Sequence, residues 1–368
     1  MYRIKQIPED FVVKEINDIK FNENGLYSYF LLKKRDYDTL KAVQAIANKI
    51  STNKNFHKNG IGFAGNKDKK ALTEQIISIR NGSKSTEKIK IKGIELKYLG
   101  KGNDEVYLGS LKGNEFLITI RNLAKEEILK IKEKYAQAPT FAPTPGKSKG
   151  ILIPNYFGEQ RISEKNYLIG KAVIKQNFKD AVELILSSNS DYNKSIEIYL
   201  KGHRNDFIGA LKLIPFRMLK FYLHSYQSFL FNKALDSYIK LGEGIKSGNK
   251  KESLLVKFPL IGFGTEINEA KDNDGNAAGK IIGKIIKKIL LDENLDSRDF
   301  IIRQIPDLSL EGSERNAFIK VEDFSVISSG KDELNKNMEK ITVKFSLPKG
   351  SYATILIDFV CKRQLITI

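Results

Sequence analysis

Residues 26–50, LYSYFLLKKRDYDTLKAVQAIANKI, contain a strand pattern followed directly by a helix pattern. The first part, 26–33, is dense in aromatic and aliphatic side chains, which favours a β-strand. In the second part, 38–50, Asp38 can cap a helix. Four apolar side chains recur at helical spacing on one face of that helix: Leu40, Val43, Ala47 and Ile50. The stretch therefore predicts a strand and a helix that packs its apolar face on a sheet.

Further strand patterns lie on both sides of this stretch. Segments rich in β-branched and aromatic residues occur at 10–16, near 61–64, at 74–80, at 94–99 and at 115–121, and a helix pattern occurs at 124–135. This β-α-β-β order predicts an α/β protein of the α+β layer type, in which helices cover one face of a sheet.

The middle of the chain has a different character. Residues 166–241 follow a helical pattern, and the longest helix is predicted at 215–240. Pro215 lies at its start, where a first-turn proline is tolerated. Loops are predicted at 138–150, which contains several prolines, and at 268–280, which is polar and precedes a basic amphipathic helix. The middle is therefore predicted to be mostly helical.

Strand-like alternation returns near the C-terminus, at 314–327, 339–346 and 351–360. The two ends of the chain are thus alike in class, whereas the middle differs from both. A domain inserted into another domain would produce this arrangement. We predict a discontinuous domain formed by 1–175 and 318–368, with an inserted domain at 176–317.

The composition favours a nucleic-acid partner. Among 368 residues, 62 Lys+Arg against 44 Asp+Glu give a formal net charge of +18. A protein this basic most often binds a polyanion, with nucleic acid as the first choice and an acidic membrane surface as the second. Cys361 is the single cysteine, which excludes an intrachain disulfide and a thiolate metal cluster. The three histidines lie far apart in the sequence, so neither a histidine metal site nor a histidine-based triad is predicted.

The sequence carries no sign of a membrane or secretory segment. No stretch approaches the roughly 18 consecutive apolar residues of a spanning helix. The N-terminal sequence MYRIKQIPEDF lacks the apolar core of a secretory signal. We therefore expect a cytoplasmic protein without a membrane partner.

Four short segments combine charged, amide and aromatic side chains: PEDFVVKE (8–15), GNKDKKALTEQ (65–75), PNYFGEQRIS (154–163) and FSLPKGSYAT (345–354). In the second segment, Asp68 lies between Lys67 and Lys69 in a turn between two predicted strands. A carboxylate in this setting is most often a solvated surface residue. In the functional alternative, the lysines keep Asp68 ionised and attract phosphate groups. The residue pattern alone leaves both interpretations open.

The third segment contains the aromatic pair Tyr156 and Phe157 before a glycine. Such a pair is more often part of a core than a stacking surface for a base, and the pattern does not separate the two. Asn155, Gln160 and Arg161 have side chains suited to base edges or phosphate, but solvated loop residues have the same composition. The residues thus indicate a basic α+β protein that binds RNA or DNA, without indicating a reaction.

In this order, the four segments resemble those of the TruD family of tRNA pseudouridine synthases. GNKDKKALTEQ resembles the catalytic G-x-K-D-[KR]-[KR]-A-x-T-x-Q segment, and PNYFGEQRIS resembles N-Y-F-G-x-Q-R-F-G. HSYQSFLFN (224–232) and LEGSER (310–315) are similar to two further family segments. The sequence departs from the family at Ile162 and Ser163, which replace Phe-Gly, and at Asn316, where a second arginine is often found.

The resemblance implies roles for individual residues. Asp68 occupies the position of the catalytic aspartate. Substrate-binding roles are implied for eight residues of the matching segments: Phe11, Glu15, Lys67, Asn155, Phe157, Gln160, Arg161 and Phe345. Phe157 is the first candidate to stack on the target base and Phe345 the second, while Lys67 either orients Asp68 or contacts phosphate.

The resemblance also implies the reaction and the fold. The reaction is isomerisation of a uridine in tRNA, in this family uridine 13, to pseudouridine. The implied fold is a catalytic domain with a mixed, largely antiparallel sheet, plus an inserted α/β TRUD domain. No atoms are exchanged and nothing is oxidised, so no metal or organic cofactor is expected. tRNA is the expected partner, and no obligatory protein partner is evident. The alternative from another class is a non-catalytic RNA-binding protein.

Overall fold

The computed structural model describes residues 1–50, 60–136, 151–159, 161–188, 190–241, 256–265, 277–362 and 366–367. The chain divides into two compact units. The first unit contains 1–153 and 320–368, and the second contains 154–319. The sequence of the second unit therefore interrupts that of the first. The predicted loop at 138–150 and most of the predicted loop at 268–280 lie outside the described residues.

Most strands lie before residue 124 or after residue 312, on either side of the helical middle of the chain. Twelve strands are described: β1 (Phe11–Ile16), β2 (Tyr27–Arg35), β3 (Ile61–Phe63), β4 (Leu72–Arg80), β5 (Ile94–Gly102), β6 (Gly113–Leu123), β7 (Ile151–Pro154), β8 (Lys257–Leu260), β9 (Ser313–Asn316), β10 (Phe318–Lys331), β11 (Glu339–Pro348) and β12 (Ile366–Thr367). The six strands predicted before residue 122 are confirmed with shifted ends. The short strand β7 was not predicted.

Most of these strands form one sheet, in the order β12-β7-β10-β11-β6-β1-β4-β2-β5, with β3 beside β4. Strand β1 pairs with β4 in parallel. The pairs β1–β6, β6–β11, β10–β11, β2–β4 and β2–β5 are antiparallel. The sheet is therefore mixed and largely antiparallel, which confirms the fold class that the resemblance implied.

Two helices follow strands of the first half of this unit, α1 (Thr39–Ile50) and α2 (Lys125–Ala136). Helix α1 packs Ala42 and Ile46 against a core that includes Phe30, Leu32 and Ile77. The helix was predicted, and of its expected apolar face Val43 and Ala47 are buried and Ile50 packs against the core. Leu40 is exposed, because the buried face contains Ile46 and its neighbours instead.

The prediction of a strand at 351–360 is wrong, because these residues form helix α9 (Ala353–Lys362). The isoleucine and valine content of TILIDFV suggested a strand. In the structure, Phe359 and four other side chains of this helix are buried. The four are spaced by one, three and four residues, which is the spacing of one helix face. They are Ala353, Leu356, Ile357 and Val360.

The second unit is mostly helical. Its helices are α3 (Glu164–Ile174), α4 (Phe178–Leu186), α5 (Asn193–Gly202), α6 (Phe207–Lys212), α7 (Phe216–Lys240) and α8 (Ala277–Asp292). Strands β8 and β9 form a separate two-stranded antiparallel sheet. Helix α7 follows Pro215, as predicted, and packs against α3, α8 and β8. Because α3 packs on α7, the unit begins at 154, and the predicted boundary at 175 lies within it. No helix in the described part of the chain is long and apolar enough to cross a membrane.

A buried ion-pair network connects the two sequence segments of the first unit. The Arg121 guanidinium donates to Asp10 Oδ1 and Asp332 Oδ1, both at 2.8 Å, and to Glu333 Oε1 at 3.0 Å. The side chains of Arg121, Asp10 and Asp332 are almost fully buried, whereas Glu333 is half-exposed. A buried charge of this kind is costly once a partner is removed. Asp10 of the PEDFVVKE segment thus has a structural role.

Asp332→Asn is expected to lower the free energy of unfolding at neutral pH by about 3–5 kcal/mol, because it removes a buried partner of Arg121. Burial raises the pKa of Asp332, but hydrogen bonds from Asn122, Asn335, Leu334 and Arg121 outweigh burial and lower the pKa to about 2. This folded-state pKa is below the unfolded value of about 3.9. The carboxylate therefore stabilises the fold above about pH 4 and loses this effect as pH falls through about 2.

Urea titrations of wild type and Asp332→Asn at several pH values measure this effect. The difference in unfolding free energy should shrink between about pH 4 and 2. Glu333→Gln is the control, because Glu333 shares the same guanidinium but is half-exposed, so its effect on the unfolding free energy should be much smaller than that of Asp332→Asn. Equal stability of wild type and Asp332→Asn at neutral pH would contradict the role of the network.

Candidate active site

Asp68 lies in the turn that connects β3 to β4 in the first unit. Its side chain is 34% exposed, and its Oδ2 is 3.1 Å from Nζ of Lys5. The same ammonium lies 4.1 Å from the centre of the Phe11 ring, in a cation–π contact. The turn therefore presents an accessible carboxylate with one cation beside it.

The backbone of this turn is fixed from the buried side. Nζ of Lys34 donates to the carbonyl oxygens of Asp68 at 2.9 Å and Lys67 at 3.3 Å. The amide of Lys67 donates to Oγ1 of Thr39 at 3.0 Å, and Nε2 of Gln75 donates to the carbonyl of Gly65 at 3.1 Å. Lys34, Thr39 and Gln75 are all buried. These bonds hold the peptide on each side of Asp68, which limits the directions its carboxylate can take.

Lys67 and Glu15 form a buried ion pair beneath the turn. Nζ of Lys67 is 3.0 Å from Oε2 of Glu15, and the side chains are 6% and 1% exposed. Oε1 of Glu15 also accepts from the amide of Ile76 at 3.3 Å. Because the Lys67 ammonium is directed inward, this geometry favours the orienting role over the phosphate contact.

A row of aromatic rings extends from Phe11 across the first unit. Phe11 contacts Phe116 edge to face at 6.1 Å. Phe345 lies 5.3 Å from Phe116 and 6.2 Å from Phe324, with nearly parallel ring planes in both pairs. Phe345 is fully buried in this row. A base could stack on Phe345 only after a neighbouring ring moved, so its stacking role stays a prediction.

Phe157 forms a second cluster, in the second unit. The Arg315 guanidinium carbon lies 4.1 Å and that of Arg161 4.8 Å from the centre of the Phe157 ring. Phe231 meets the ring edge to face at 5.4 Å. Phe157 is 7% exposed. It therefore combines core packing with two cationic planar groups on its ring.

Helix α7 holds the segment that carries Phe157. Asn232 accepts from the Phe157 amide through Oδ1 and donates to its carbonyl through Nδ2, both at 2.9 Å. One turn earlier, Ser228 Oγ accepts from Arg161 Nε at 2.8 Å, and Ser225 Oγ donates to the Arg161 carbonyl at 2.7 Å. The three polar residues are spaced by three and four positions, which places them on one helix face. This explains Ser225, Ser228 and Asn232 of HSYQSFLFN.

Asn155 is buried at the start of the same segment. Its Nδ2 donates to the carbonyl of Asn316 at 2.9 Å. Arg315 donates to its Oδ1 at 2.6 Å and to its backbone carbonyl at 3.1 Å. Arg315 thus connects Asn155 to the Phe157 ring. Gln160 lies outside the described residues.

The structure brings the predicted residues into two groups, one in each unit. Asp68, Lys67, Glu15 and Phe11 lie together in the first unit, with Phe345 further along the aromatic row. The second unit groups the remaining described residues, Asn155, Phe157 and Arg161. Their assignment to substrate binding stays a prediction.

Sequence reasoning missed Lys5, Lys34, Arg315 and Asn232. Lys34 had a usable signal, because strand alternation from Phe30 through Leu32 places it on the core face of β2, where a lysine is unusual. Arg315 and Asn232 lie within segments that resemble the family, but nothing in those segments identified their partners. Lys5 carried no local signal, because Asp68 is 63 positions away in the sequence.

Comparisons with known proteins extend over nearly the whole chain. The sequence model of tRNA pseudouridine synthase D (TruD) matches residues 2–197, 186–259 and 243–358. A Methanosarcina acetivorans protein named "Probable tRNA pseudouridine synthase D" is 30% identical over 427 aligned positions, covering 96% of this chain and 91% of that protein. A Nanoarchaeum equitans protein of the same name is 30% identical, covering 96% and 97%. A crystal structure assigned to tRNA pseudouridine synthase D of Methanosarcina mazei has a TM-score of 0.71 and 27% identity, covering 98% and 93%.

Proposed function

Because the chain belongs to the tRNA pseudouridine synthase D (TruD) family of isomerases, we propose that it converts uridine 13 of tRNA to pseudouridine, with Asp68 as the catalytic residue. The observation that carries this proposal is the Asp68 carboxylate itself. It is accessible, and its backbone is fixed by buried donors and acceptors on both sides. Such fixation suits a group that must meet a reacting atom in one geometry.

The proposed reaction balances within the substrate. The bond between uracil N1 and ribose C1′ breaks, and a bond from uracil C5 to the same carbon forms. C5 loses a proton and N1 gains one, so the formula of the nucleotide is unchanged. No electrons pass to a second reactant, and the proposal therefore needs no cofactor. An ionised aspartate can attack the ribose or the base, or accept a proton from the sugar.

The target uridine must leave its stack before a carboxylate can reach it, at a cost of a few kcal/mol. Stacking on an aromatic side chain, worth about 1–3 kcal/mol per base, can offset this cost. We assign this role to Phe157, whose ring binds planar cationic groups. Because the ring is 7% exposed, a base could stack on it only after the guanidinium of Arg315 or Arg161 moved. The net charge of +18 supports salt-dependent attraction of the tRNA backbone, and exposed Lys69 and Lys70 contribute beside Asp68. We place the reaction in the cytoplasm.

Mapping of pseudouridine on a tRNA transcript incubated with the pure protein tests this function. The expected result is a single new pseudouridine at position 13. A transcript with cytidine at that position should stay unmodified while it still binds. Binding without isomerisation would instead support a non-catalytic RNA-binding protein, and modification at another position would overturn the assignment to uridine 13.

A further inference from the structure

Lys34 is a buried lysine whose ammonium bonds to backbone carbonyls around the candidate active site. The residue is 2% exposed. Its Nζ donates to the carbonyl oxygens of Tyr37 at 2.7 Å, Asp68 at 2.9 Å and Lys67 at 3.3 Å. An ammonium has three N–H donors and no acceptor, so the three carbonyls account for its full donor capacity.

We infer that Lys34 is a positioning residue for the isomerisation: its ammonium fixes the backbone of Lys67 and Asp68 and thereby aims the Asp68 carboxylate. This inference rests on the proposed function. Lys34 acts through Asp68, and nothing in the inference requires it to touch the substrate.

The cost of burying this charge supports a specific role. An unpaired buried ammonium is strongly unfavourable. Within the described part of the chain, Lys34 forms no ion pair with a carboxylate, and its charge is stabilised by the carbonyls and by nearby charges. For packing alone, an apolar side chain of similar length would fill the same space without that cost. The ammonium adds a bond from strand β2 to the turn that carries Asp68.

Together with two neighbours, Lys34 restrains Asp68 at three points. Lys34 holds its carbonyl oxygen, Thr39 holds the amide of the preceding residue, and Lys5 holds its carboxylate. Loss of the carbonyl bond would free the peptide between Asp68 and Lys69 to rotate. A displacement of about 1 Å at a catalytic group can lower a rate by about 100-fold.

The charge of Lys34 depends on pH in an accessible range. Burial lowers the pKa of Lys34 to about 8, although Asp38 and Asp68 raise it, and Lys67 lowers it further. Lys67 is itself paired with Glu15 of β1. Above that pH the amine keeps two protons for three carbonyls, so one carbonyl loses its donor.

Loss of the Lys34 charge above pH 8 also changes the free energy of unfolding. The sign of that change shows whether a lower rate comes from a displaced Asp68 or from unfolding of the protein. The folded-state pKa lies below the unfolded value of about 10.4. The unfolded state therefore binds more protons between about pH 8 and 10, and the contribution of Lys34 to stability rises with pH. If Lys34 positions Asp68, single-turnover rates should fall above pH 8 while this contribution does not fall.

The test measures single-turnover pseudouridine formation at saturating enzyme from about pH 6.5 to 9.5, together with thermal unfolding, for wild type, Lys34→Met and Lys34→Arg. Lys34→Met should lower the rate by about 10- to 100-fold while the half-saturating enzyme concentration changes less than about threefold. Lys34→Arg stays charged over this range, so any activity it retains should lack the decline of wild type above pH 8. Lys33→Met is the matched control, because Lys33 is the preceding residue on β2, its side chain is partly exposed and it pairs with Glu74.

The outcomes separate this inference from the proposed function. An active wild type with a flat rate above pH 8, or a Lys34→Met variant with a wild-type rate, would overturn the role of Lys34 and leave the function intact. A wild type that forms no pseudouridine overturns the function and with it the role of Lys34. If both variants fail to fold, the pH profiles of the wild-type rate and of its thermal unfolding still test the role of Lys34. The role requires that the wild-type rate falls above pH 8 while the protein stays folded.

Discussion

Asp68→Asn should remove turnover while tRNA binding stays within about a few-fold of wild type. The amide keeps the shape of the side chain, but it is neither a nucleophile nor a base at neutral pH. Single-turnover pseudouridine formation should fall on the order of 1000-fold or more, the scale seen when a catalytic group is removed. Binding of labelled tRNA, measured in parallel, shows whether the loss lies in the chemical step.

Asp18→Asn is the matched control for this substitution. Asp18 is also paired with a lysine, Lys112, at 3.0 Å, but both side chains are largely exposed. Asp18→Asn therefore removes one carboxylate and its ion pair with a lysine without altering the β3–β4 turn. The single-turnover rate of this variant should stay within about twofold of wild type. Substantial pseudouridine formation by pure Asp68→Asn would refute the catalytic assignment.

Substitutions of Phe157 are expected to separate stability from catalysis. The ring is nearly buried against Phe231 and two arginines, so Phe157→Ala should cost about 3–5 kcal/mol of unfolding free energy. Phe157→Leu keeps most of the apolar volume and should recover much of that loss. Leucine has no flat π-face, however, so its single-turnover rate should stay about 5- to 150-fold below wild type, matching the 1–3 kcal/mol of a base stack. Phe157→Tyr should retain much of the activity.

Two neighbouring aromatics serve as controls for the Phe157 series. Phe231→Leu alters a fully buried ring that contacts Phe157, and it should lower stability with little change in the rate of the folded protein. The same three substitutions at Tyr156 test whether that neighbour is the stacking residue instead, because adjacent residues of an extended segment face opposite ways. If the single-turnover rates of Phe157→Ala, Phe157→Leu and Phe157→Tyr simply parallel their unfolding free energies, Phe157 is a packing residue and the stacking role is wrong.

The fold followed from the sequence where the hydrophobic period was unambiguous. Residues 26–50 change from strand to helix within a few positions, and the structure has β2 and α1 there. The pattern failed at 351–360, because β-branched residues suggested a strand, whereas the buried residues Leu356, Ile357 and Val360 have the spacing of a helix face. The β-branched content of a segment is therefore not enough to predict a strand, because the tertiary structure decides which of its side chains are buried.

Only part of the candidate site could be predicted from the sequence. Asp68 and Phe157 lie in segments whose order along the chain resembles one family, so they could be identified without any contact. Their partners could not be, because Lys34 and Asp68 are 34 positions apart and Phe157 and Asn232 are 75 positions apart. These pairs form through the register of the strands and the packing of the helices, and neither can be read from a single sequence.

The position of β11 beside β6 has a consequence for biosynthesis. The ribosome completes the contiguous second unit, 154–319, before it reaches the residues that pair with β6. Until then, β6 is an uncovered edge of 11 residues, and Arg121 at its end lacks Asp332. Long uncovered edges favour intermolecular pairing. A nascent or prematurely terminated chain would therefore expose the first segment of the first unit to aggregation after the whole of the second unit had been synthesised.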